Sequence, residues 1–367
     1  MARRTSIGKK LLLLVATLVL ALLAAEGVCR LAGEPPNMQP TLFTANGLEV
    51  PVGEIIVYLA NMADFDSRHN LRQAPPHGLL LANLKMRMGY KPKPIWDYFD
   101  ETGCVAVDTN SLGLRDEEFP VEKRPGELRI LAIGDSMTYG MGVRLDLTWP
   151  QVLEARLRAE RSGPVEVINA GFAAGGYSPA EYDRWVEEHG VLFDPDIVII
   201  GVCLNDVHSG IGMLTYPKAQ LEPVLGGFSL LLDRAAQLVR QSQLRAEKRD
   251  LAKLITPESA EWKGTRRGLR AIRDTLAEHG IELVVAVFPM MSQLEPELYP
   301  CRHVHELVTA FCHEEGIRCL DLLPAFLGMD DRELWVHASD QHANDKGHAI
   351  QAAQIHAFLG REGLLSR

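Results

Sequence analysis

Short apolar runs recur along the second part of the chain, and glycine or polar residues follow each of them. Continuous runs rich in Val, Ile and Leu are typical of strands that are buried on both faces, as in a parallel sheet. Four runs are clear, and the fifth run is less marked. They occupy residues 128–133, 165–168, 197–203, 281–288 and 319–323.

Amphipathic stretches with helical spacing lie between these runs. They occupy residues 150–160, 179–189, 230–249, 258–279 and 304–315. The alternation of strands and helices predicts a three-layer α/β/α fold, with a flavodoxin-like, doubly wound parallel sheet of about five strands. Ligands of such folds bind beyond the carboxyl ends of the strands.

The N-terminus carries a different pattern. Residues 11–25 are apolar apart from one threonine, and four cations precede them. This layout is typical of a secretory signal, whose positive end stays on the cytoplasmic side. Residues 1–30 predict either an uncleaved signal anchor, if the apolar run extends past Glu26 to Val28, or a cleaved signal peptide. Both interpretations place the rest of the protein outside the cytoplasm.

The segment between the N-terminus and the first strand is rich in Pro, Asn and Gly and weakly periodic. Residues 31–126 therefore predict an irregular juxtamembrane segment or a small lobe, and residues 127–367 form the α/β domain. The six cysteines are too few for a disulfide framework in a chain of 367 residues.

The net charge of the chain excludes some classes of binding partner. Of the 38 Lys and Arg, four lie in the first ten residues, which hold none of the 48 Asp and Glu, so the remaining chain carries a net charge of −14. A body this acidic lacks the basic footprint of a nucleic-acid-binding protein. It is also repelled by anionic lipid, so attachment to a bilayer has to be hydrophobic, through the N-terminal helix.

Residues suited to acyl chemistry lie after the predicted strands and near the C-terminus. Ser136 follows the first strand, where its hydroxyl and the N–H groups of a following helix could serve as nucleophile and oxyanion donor. Gly176 belongs to a glycine-rich stretch after the second strand, and Asn205 follows the third. Asp340 precedes His342 by two residues, a spacing at which a carboxylate can orient an imidazole.

The four blocks together resemble the SGNH/GDSL hydrolase family. Their order along the chain is Gly-Asp-Ser-Met-Thr, Gly-Gly-Tyr-Ser, Gly-Val-Cys-Leu-Asn-Asp and Asp-Gln-His-Ala-Asn. The resemblance covers about residues 128–359, and the segment Asn-Ser-Leu-Gly-Leu-Arg-Asp at residues 110–116 is similar to bacterial membrane-anchored members. No Gly-x-Ser-x-Gly motif occurs, which argues against the nucleophile elbow of α/β-hydrolases.

Two positions depart from the family pattern. Many members carry the catalytic Asp three residues before the His, where this chain has Ser339, so Asp340 is the expected acid. The second block has an extra small residue, so Gly175 and Gly171 compete with Gly176 as the oxyanion donor.

The resemblance implies a serine esterase that needs no metal or organic cofactor. Ser136 would be the nucleophile, His342 the base and Asp340 its orienting acid, with Ser136, Gly176 and Asn205 forming the oxyanion hole. The expected substrate is a small-molecule or glycan ester, with carbohydrate deacetylation as one form. The alternatives are an O-acyltransferase acting on a cell-surface glycan and a non-catalytic glycan-binding protein of the same fold.

The long connection at residues 207–228 is a candidate lid over the substrate pocket, since it has glycines near both ends. The expected location is the membrane, with the catalytic domain in the periplasm or at the cell surface. Secretion after signal cleavage is the alternative.

Overall fold

The computed structural model describes residues 7–32, 40–45, 48–50, 80, 82–90, 93–172, 178–207, 229–253, 255–338 and 340–365. The chain begins with helix α1 (Ile7–Leu31), whose leucines are exposed. By length and composition, this helix can cross a membrane over Gly8–Leu31.

A small antiparallel sheet follows α1. Its strands, in the spatial order β2-β1-β3-β4, are β1 (Pro40–Ala45), β2 (Leu48–Val50), β3 (Met86–Tyr90) and β4 (Cys104–Ala106). We call the described part of residues 40–107 the lobe. Lobe side chains such as Met88 and Tyr90 share one apolar cluster with Met141 and Val336 of the α/β domain, so the lobe packs on that domain.

The main sheet has five parallel strands in the order β6-β5-β7-β8-β9. They are β5 (Leu128–Gly134), β6 (Val165–Gly171), β7 (Ile197–Cys203), β8 (Glu282–Phe288) and β9 (Arg318–Asp321). Their residues are almost all buried, as the continuous apolar runs predict. The predicted flavodoxin-like parallel sheet is confirmed.

Helices cover both faces of this sheet, and one further helix contacts α1. In chain order the helices are α2 (Ser136–Tyr139), α3 (Trp149–Glu160), α4 (Pro179–Glu188), α5 (Leu204–Val207), α6 (Leu230–Ala252), α7 (Ala260–Glu278), α8 (Arg302–Glu314) and α9 (Asp345–Arg361). The helix that contacts α1 is α6. Helix α3 packs on α9 in one layer, and α4 packs on α7 in the other. A short hairpin of β10 (Trp335–His337) and β11 (Asp340–Ala343) precedes α9.

The C-terminal end of α1 is joined to α6 by the carboxylate of one residue, Glu26. Glu26 accepts hydrogen bonds from the Leu230 N–H at 3.1 Å, the Leu231 N–H at 3.0 Å and the Ser229 hydroxyl at 2.9 Å. These donors lie at the start of α6, where backbone N–H groups have no partner within the helix. Glu26, the acid that interrupts the apolar run, therefore caps a second helix.

Three glycines lie side by side at the carboxyl ends of the central strands. Gly134 of β5 is in register with Gly171 of β6 on one side and with Gly201 of β7 on the other. A Cβ atom on Gly171 would lie 2.1 Å from the Tyr139 nitrogen, and one on Gly201 would lie 2.7 Å from Thr138 Oγ1. The row gives α2 space to rest directly on the strand ends.

We expect Gly171→Ala to destabilise the fold by about 3 kcal/mol, because its new methyl group meets backbone atoms of α2 that have nowhere to move. Gly264→Ala is the matched control. No atom lies within 4 Å of a Cβ there, and Gly264 is the fifth residue of α7, inside the helix, so alanine should stabilise the fold by up to about 1 kcal/mol. Urea unfolding of both variants measures the difference. Equal stabilities would show that α2 does not rest on the glycine row.

Candidate active site

The turn that carries Ser136 is fixed by its own capping residue. Strand β5 ends at Gly134, and the carboxylate of Asp135 accepts a hydrogen bond from the Met137 N–H at 2.9 Å, which caps α2. Ser136 is the first residue of α2 and is 9 % exposed. The chain turns sharply from strand to helix at this point, so the serine hydroxyl lies at the carboxyl edge of the sheet.

Ser136, His342 and Asp340 form one chain of hydrogen bonds. His342 Nε2 lies 2.8 Å from Ser136 Oγ, and His342 Nδ1 lies 2.5 Å from Asp340 Oδ1. Asp340 and His342 are two residues apart on β11, and alternate residues of a strand point to the same face. The two-residue spacing therefore brings carboxylate and imidazole together directly.

Opposing effects set the protonation of this pair. Burial would lower the pKa of His342, but the charge of Asp340 and the hydrogen bond between the two side chains outweigh burial and raise that pKa above its ordinary value. Burial would likewise raise the pKa of Asp340, yet the charge of His342 and the hydrogen bonds that Asp340 accepts from His342 and Tyr90 lower that pKa below its ordinary value. Both shifts favour a carboxylate beside an imidazole with an increased affinity for a proton.

A second donor to the carboxylate comes from the lobe. The hydroxyl of Tyr90, at the end of β3, donates to Asp340 Oδ2 at 2.5 Å. Sequence reasoning missed this residue. The contact joins positions 250 residues apart, and no motif surrounds the tyrosine.

The predicted oxyanion donors are placed only in part. Gly175 and Gly176 lie outside the described residues, as does the side chain of Asn205, whose backbone belongs to α5. The N–H of Gly171 donates to the Asn169 side chain at 3.0 Å. That proton already has an acceptor, and Gly171 has a steric role in the glycine row instead.

Asp206, which follows Asn205, stabilises the third block through hydrogen bonds. Asp206 accepts hydrogen bonds from the Cys203 N–H at 2.9 Å and from the Tyr182 hydroxyl at 3.2 Å. Burial, and next the nearby charge of Asp135, raise the pKa of Asp206 well above its ordinary value. Asp206 thus stabilises the turn that contains Asn205. The candidate lid at residues 207–228 lies outside the described residues from 208 onward.

Two residues of the 110–116 segment form hydrogen bonds with the backbone of elements next to the site. The buried guanidinium of Arg115 donates to the backbone carbonyls of Tyr139, Gly140 and Val143, at and just after the end of α2. Asp116 accepts from the Asn169 N–H at 2.8 Å, in strand β6, which precedes the glycine-rich block. The sequence marked this segment as family-like, but only the structure shows that it contacts both the end of α2 and β6.

A second histidine lies close by and is held neutral. His348 Nδ1 accepts a hydrogen bond from the Trp149 N–H at 3.1 Å, at the start of α3. Burial, with the charges of Arg115 and His342, lowers the pKa of His348 to about 3. Among the described residues, no group of three or more His, Cys, Asp or Glu side chains is placed to hold a metal ion.

The fold and the site together define an α/β protein with a hydrogen-bonded serine, histidine and aspartate at the carboxyl edge of its sheet. A model of the GDSL-like Lipase/Acylhydrolase family matches residues 132–350, more than half of the chain. The chain belongs to this family and is a hydrolase of ester bonds. No curated protein matches it.

Three solved structures of similar fold are related at low identity. A lipolytic protein of the G-D-S-L family from Desulfitobacterium hafniense DCB-2 is 14% identical, with a TM-score of 0.41 over 63% of this chain and 99% of that one. The acetylxylan esterase Axe2 from Geobacillus stearothermophilus is 17% identical, with a TM-score of 0.42 over 64% and 94%. The two-domain esterase CEX, active on acetylated mannans, is 16% identical, with a TM-score of 0.41 over 64% of this chain and 49% of its own.

We expect Asp340→Asn to lower kcat/KM for an ester by about 10³- to 10⁴-fold, because the imidazole loses the partner that sets its tautomer. The acid limb of the pH profile should also move to lower pH. The pKa of His342 loses the charge that raises it, while the burial that lowers it remains. The measurement is kcat/KM between about pH 5 and pH 9.

Asp146→Asn is the matched control, since Asp146 is exposed and pairs with Arg144 at 2.5 Å, away from the histidine. It should leave the profile unchanged. An acid limb that stays in place in Asp340→Asn would mean that Asp340 does not set the pKa of His342.

Proposed function

We propose that the protein is a serine esterase whose catalytic residues are Ser136, His342 and Asp340. The observation that carries the proposal is the continuous relay from Ser136 Oγ through His342 to Asp340, with contacts of 2.8 and 2.5 Å. All three residues lie inside the family-matched segment. The raised pKa of His342 suits a group that must accept a proton and then return it.

The reaction proceeds in two halves. Ser136 Oγ attacks the carbonyl carbon of the ester and passes its proton to His342 Nε2, which returns it to the leaving alcohol as the ester bond breaks. Water then attacks the acyl-serine and gives a proton to His342. The carboxylic acid departs as Ser136 recovers that proton. Throughout, Asp340 stabilises the imidazolium through Nδ1.

The tetrahedral intermediates need donors for their negative oxygen. The proposed donors are the Ser136 N–H at the start of α2, the Gly176 N–H and the Asn205 side-chain amide. The glycine row and Asp206 support this proposal, because they fix the strand ends from which the donors extend. Each donor of this kind contributes about 2.7–4 kcal/mol to the stability of the transition state.

The proposed substrate is a neutral carbohydrate ester, with acetyl as the first acyl group to test. The net charge of −14 outside the first ten residues supports this proposal, because it disfavours anionic substrates such as phospholipid headgroups.

We further propose that α1 is retained as a membrane anchor and that the catalytic domain is extracytoplasmic. The three hydrogen bonds that Glu26 accepts from the start of α6 support this, because they make the C-terminal end of α1 part of the folded protein. Four cations before the apolar run favour a cytoplasmic N-terminus.

We expect Ser136→Ala in the full chain, held in detergent, to lose at least about 10³-fold in hydrolysis of p-nitrophenyl acetate. The reason is that no other group replaces the nucleophile. Ser111→Ala is the matched control. Ser111 hydrogen-bonds to Glu118 on the exposed surface, and its loss should leave the rate unchanged.

A folded wild-type protein that neither hydrolyses the ester nor reacts at Ser136 with a serine-directed phosphonate would contradict the proposal. The same assay run with an added glycan acceptor separates hydrolysis from acyl transfer. A gain of acylated glycan at the expense of free acetate would make the protein an acyltransferase.

We expect the protein to stay in the membrane pellet after an alkaline carbonate wash, with an intact mass that includes residues 1–25. The apolar span of α1 is the physical reason, because it is long enough to remain in the bilayer. A variant that replaces residues 1–30 with a cleavable secretion signal should appear in the soluble extracytoplasmic fraction. Recovery of the natural chain in that fraction, without its first residues, would show cleavage instead.

A further inference from the structure

Tyr90 lies outside the segment that the family model matches, yet it contacts the proposed active site. It ends β3 of the lobe and is 2 % exposed, and the matched segment begins only at residue 132. Its hydroxyl donates to Asp340 Oδ2 at 2.5 Å, a distance typical of a hydrogen bond to an ionised acceptor. The sulfur of Met88 is a weaker and more distant acceptor at 3.6 Å.

With this contact, both oxygens of the buried carboxylate have donors. Oδ1 accepts from His342 twice, through the ring at 2.5 Å and through the backbone N–H at 3.0 Å. Oδ2 accepts from Tyr90. A carboxylate held at both oxygens keeps its plane when the proton moves on and off the imidazole.

The ring of Tyr90 is itself held in place. It packs edge-on against Phe99, with centroids 5.7 Å apart, and lies over the ring of His337 at 5.2 Å. On the far side, Gly142 leaves the space that the hydroxyl occupies, since a Cβ there would lie 2.7 Å from the Tyr90 oxygen. The hydroxyl is therefore aimed at Asp340 before any substrate binds.

A second lobe residue, Trp96, donates hydrogen bonds to the backbone of β10, which precedes Asp340. The indole N–H of Trp96 lies 3.0 Å from the carbonyl oxygen of Trp335 and 2.8 Å from that of Val336. Both carbonyls belong to β10, which pairs with the strand that carries Asp340 and His342. The lobe thus contacts the Asp340 side chain through Tyr90, and it contacts the backbone of the hairpin that carries Asp340 through Trp96.

We propose that Tyr90 is a positioning residue of the active site, whose hydroxyl holds the Asp340 carboxylate in line with His342, so that the lobe completes the catalytic machinery. This inference rests on the proposed serine-esterase function. It assigns a role to the segment between the anchor and the α/β domain, and it makes activity depend on the docking of the lobe.

The first test is Tyr90→Phe in the full chain, with Tyr98→Phe as its matched control. Phenylalanine keeps the ring contacts and removes only the hydroxyl. We expect kcat for p-nitrophenyl acetate to fall at least about tenfold with KM unchanged, since a hydrogen bond to a charged group is lost. Tyr98 is another buried tyrosine of the lobe and makes no hydrogen bond with Asp340, so its variant should keep wild-type kcat.

The second test asks whether Tyr90 acts through the acid. Tyr90→Phe is combined with Asp340→Asn, and the loss is compared with the product of the two single losses. We expect Tyr90→Phe to cost less than about twofold in the Asp340→Asn background, because the carboxylate that it positions is already gone. A merely structural tyrosine would give the full loss in both backgrounds, and that result would overturn the proposal.

Trp96→Phe keeps the proposal testable if Tyr90→Phe does not fold. It removes the indole N–H from β10 and leaves Tyr90 intact, and we expect a smaller fall in kcat with KM unchanged. If Tyr90→Phe folds and keeps the wild-type kcat, the proposed role of the lobe is overturned. If Tyr90→Phe does not fold, a folded Trp96→Phe with the wild-type kcat overturns it in the same way. In both cases turnover by the wild-type protein leaves the esterase proposal standing. A wild-type protein that neither turns over nor labels at Ser136 would overturn both.

Discussion

The close approach of α2 to the strand ends is the constraint on which the site depends. Gly134, Gly171 and Gly201 form one row across three parallel strands, and side chains on them would occupy the space of Thr138 and Tyr139. Because α2 rests on this row, Ser136 is placed by backbone packing and not by a flexible loop. The Arg115 guanidinium then donates to carbonyls at the end of α2 and just after it. The proposed nucleophile therefore lies on a rigid part of the backbone.

Asp340 and His342, which are hydrogen-bonded to each other and to Ser136, lie on an element much smaller than the central sheet. The β10–β11 hairpin is short, and a strand of four residues carries both Asp340 and His342. An isolated hairpin of this size is at best marginally stable in water. Its place is secured from outside, by the bond between His342 and Ser136 on one side and by Tyr90 and Trp96 on the other. In this structure the rigidly held Ser136 and the supported hairpin contact each other through one hydrogen bond of 2.8 Å, between Ser136 Oγ and His342 Nε2.

The sequence predicts the elements whose signal is local. Strands buried on both faces read as continuous apolar runs, so the central sheet was predictable, and the two-residue spacing of Asp340 and His342 predicts a shared strand face. The glycines were visible as well, but a glycine in a sequence does not say whether it supplies a positive φ or space for a neighbour. Tyr90 could not be found this way. Its only signal is a contact with a residue 250 positions later, which exists only once lobe and domain have packed together.

The electrostatics support the proposed base independently of any sequence motif. His342 and His348 are both buried in this region, and their surroundings move their pKa values in opposite directions. His348 has no carboxylate partner in the described structure, and burial and the charge of Arg115 lower its pKa to about 3, so it stays neutral and accepts a backbone N–H. His342 is also buried, but the charge of Asp340 raises its pKa above the ordinary value. A general base must gain and lose a proton near the working pH, so the raised pKa of His342 suits the proposed role and the lowered pKa of His348 does not. The hydrogen bonds that keep Asp340 ionised therefore contribute to the proposed base together with the imidazole itself.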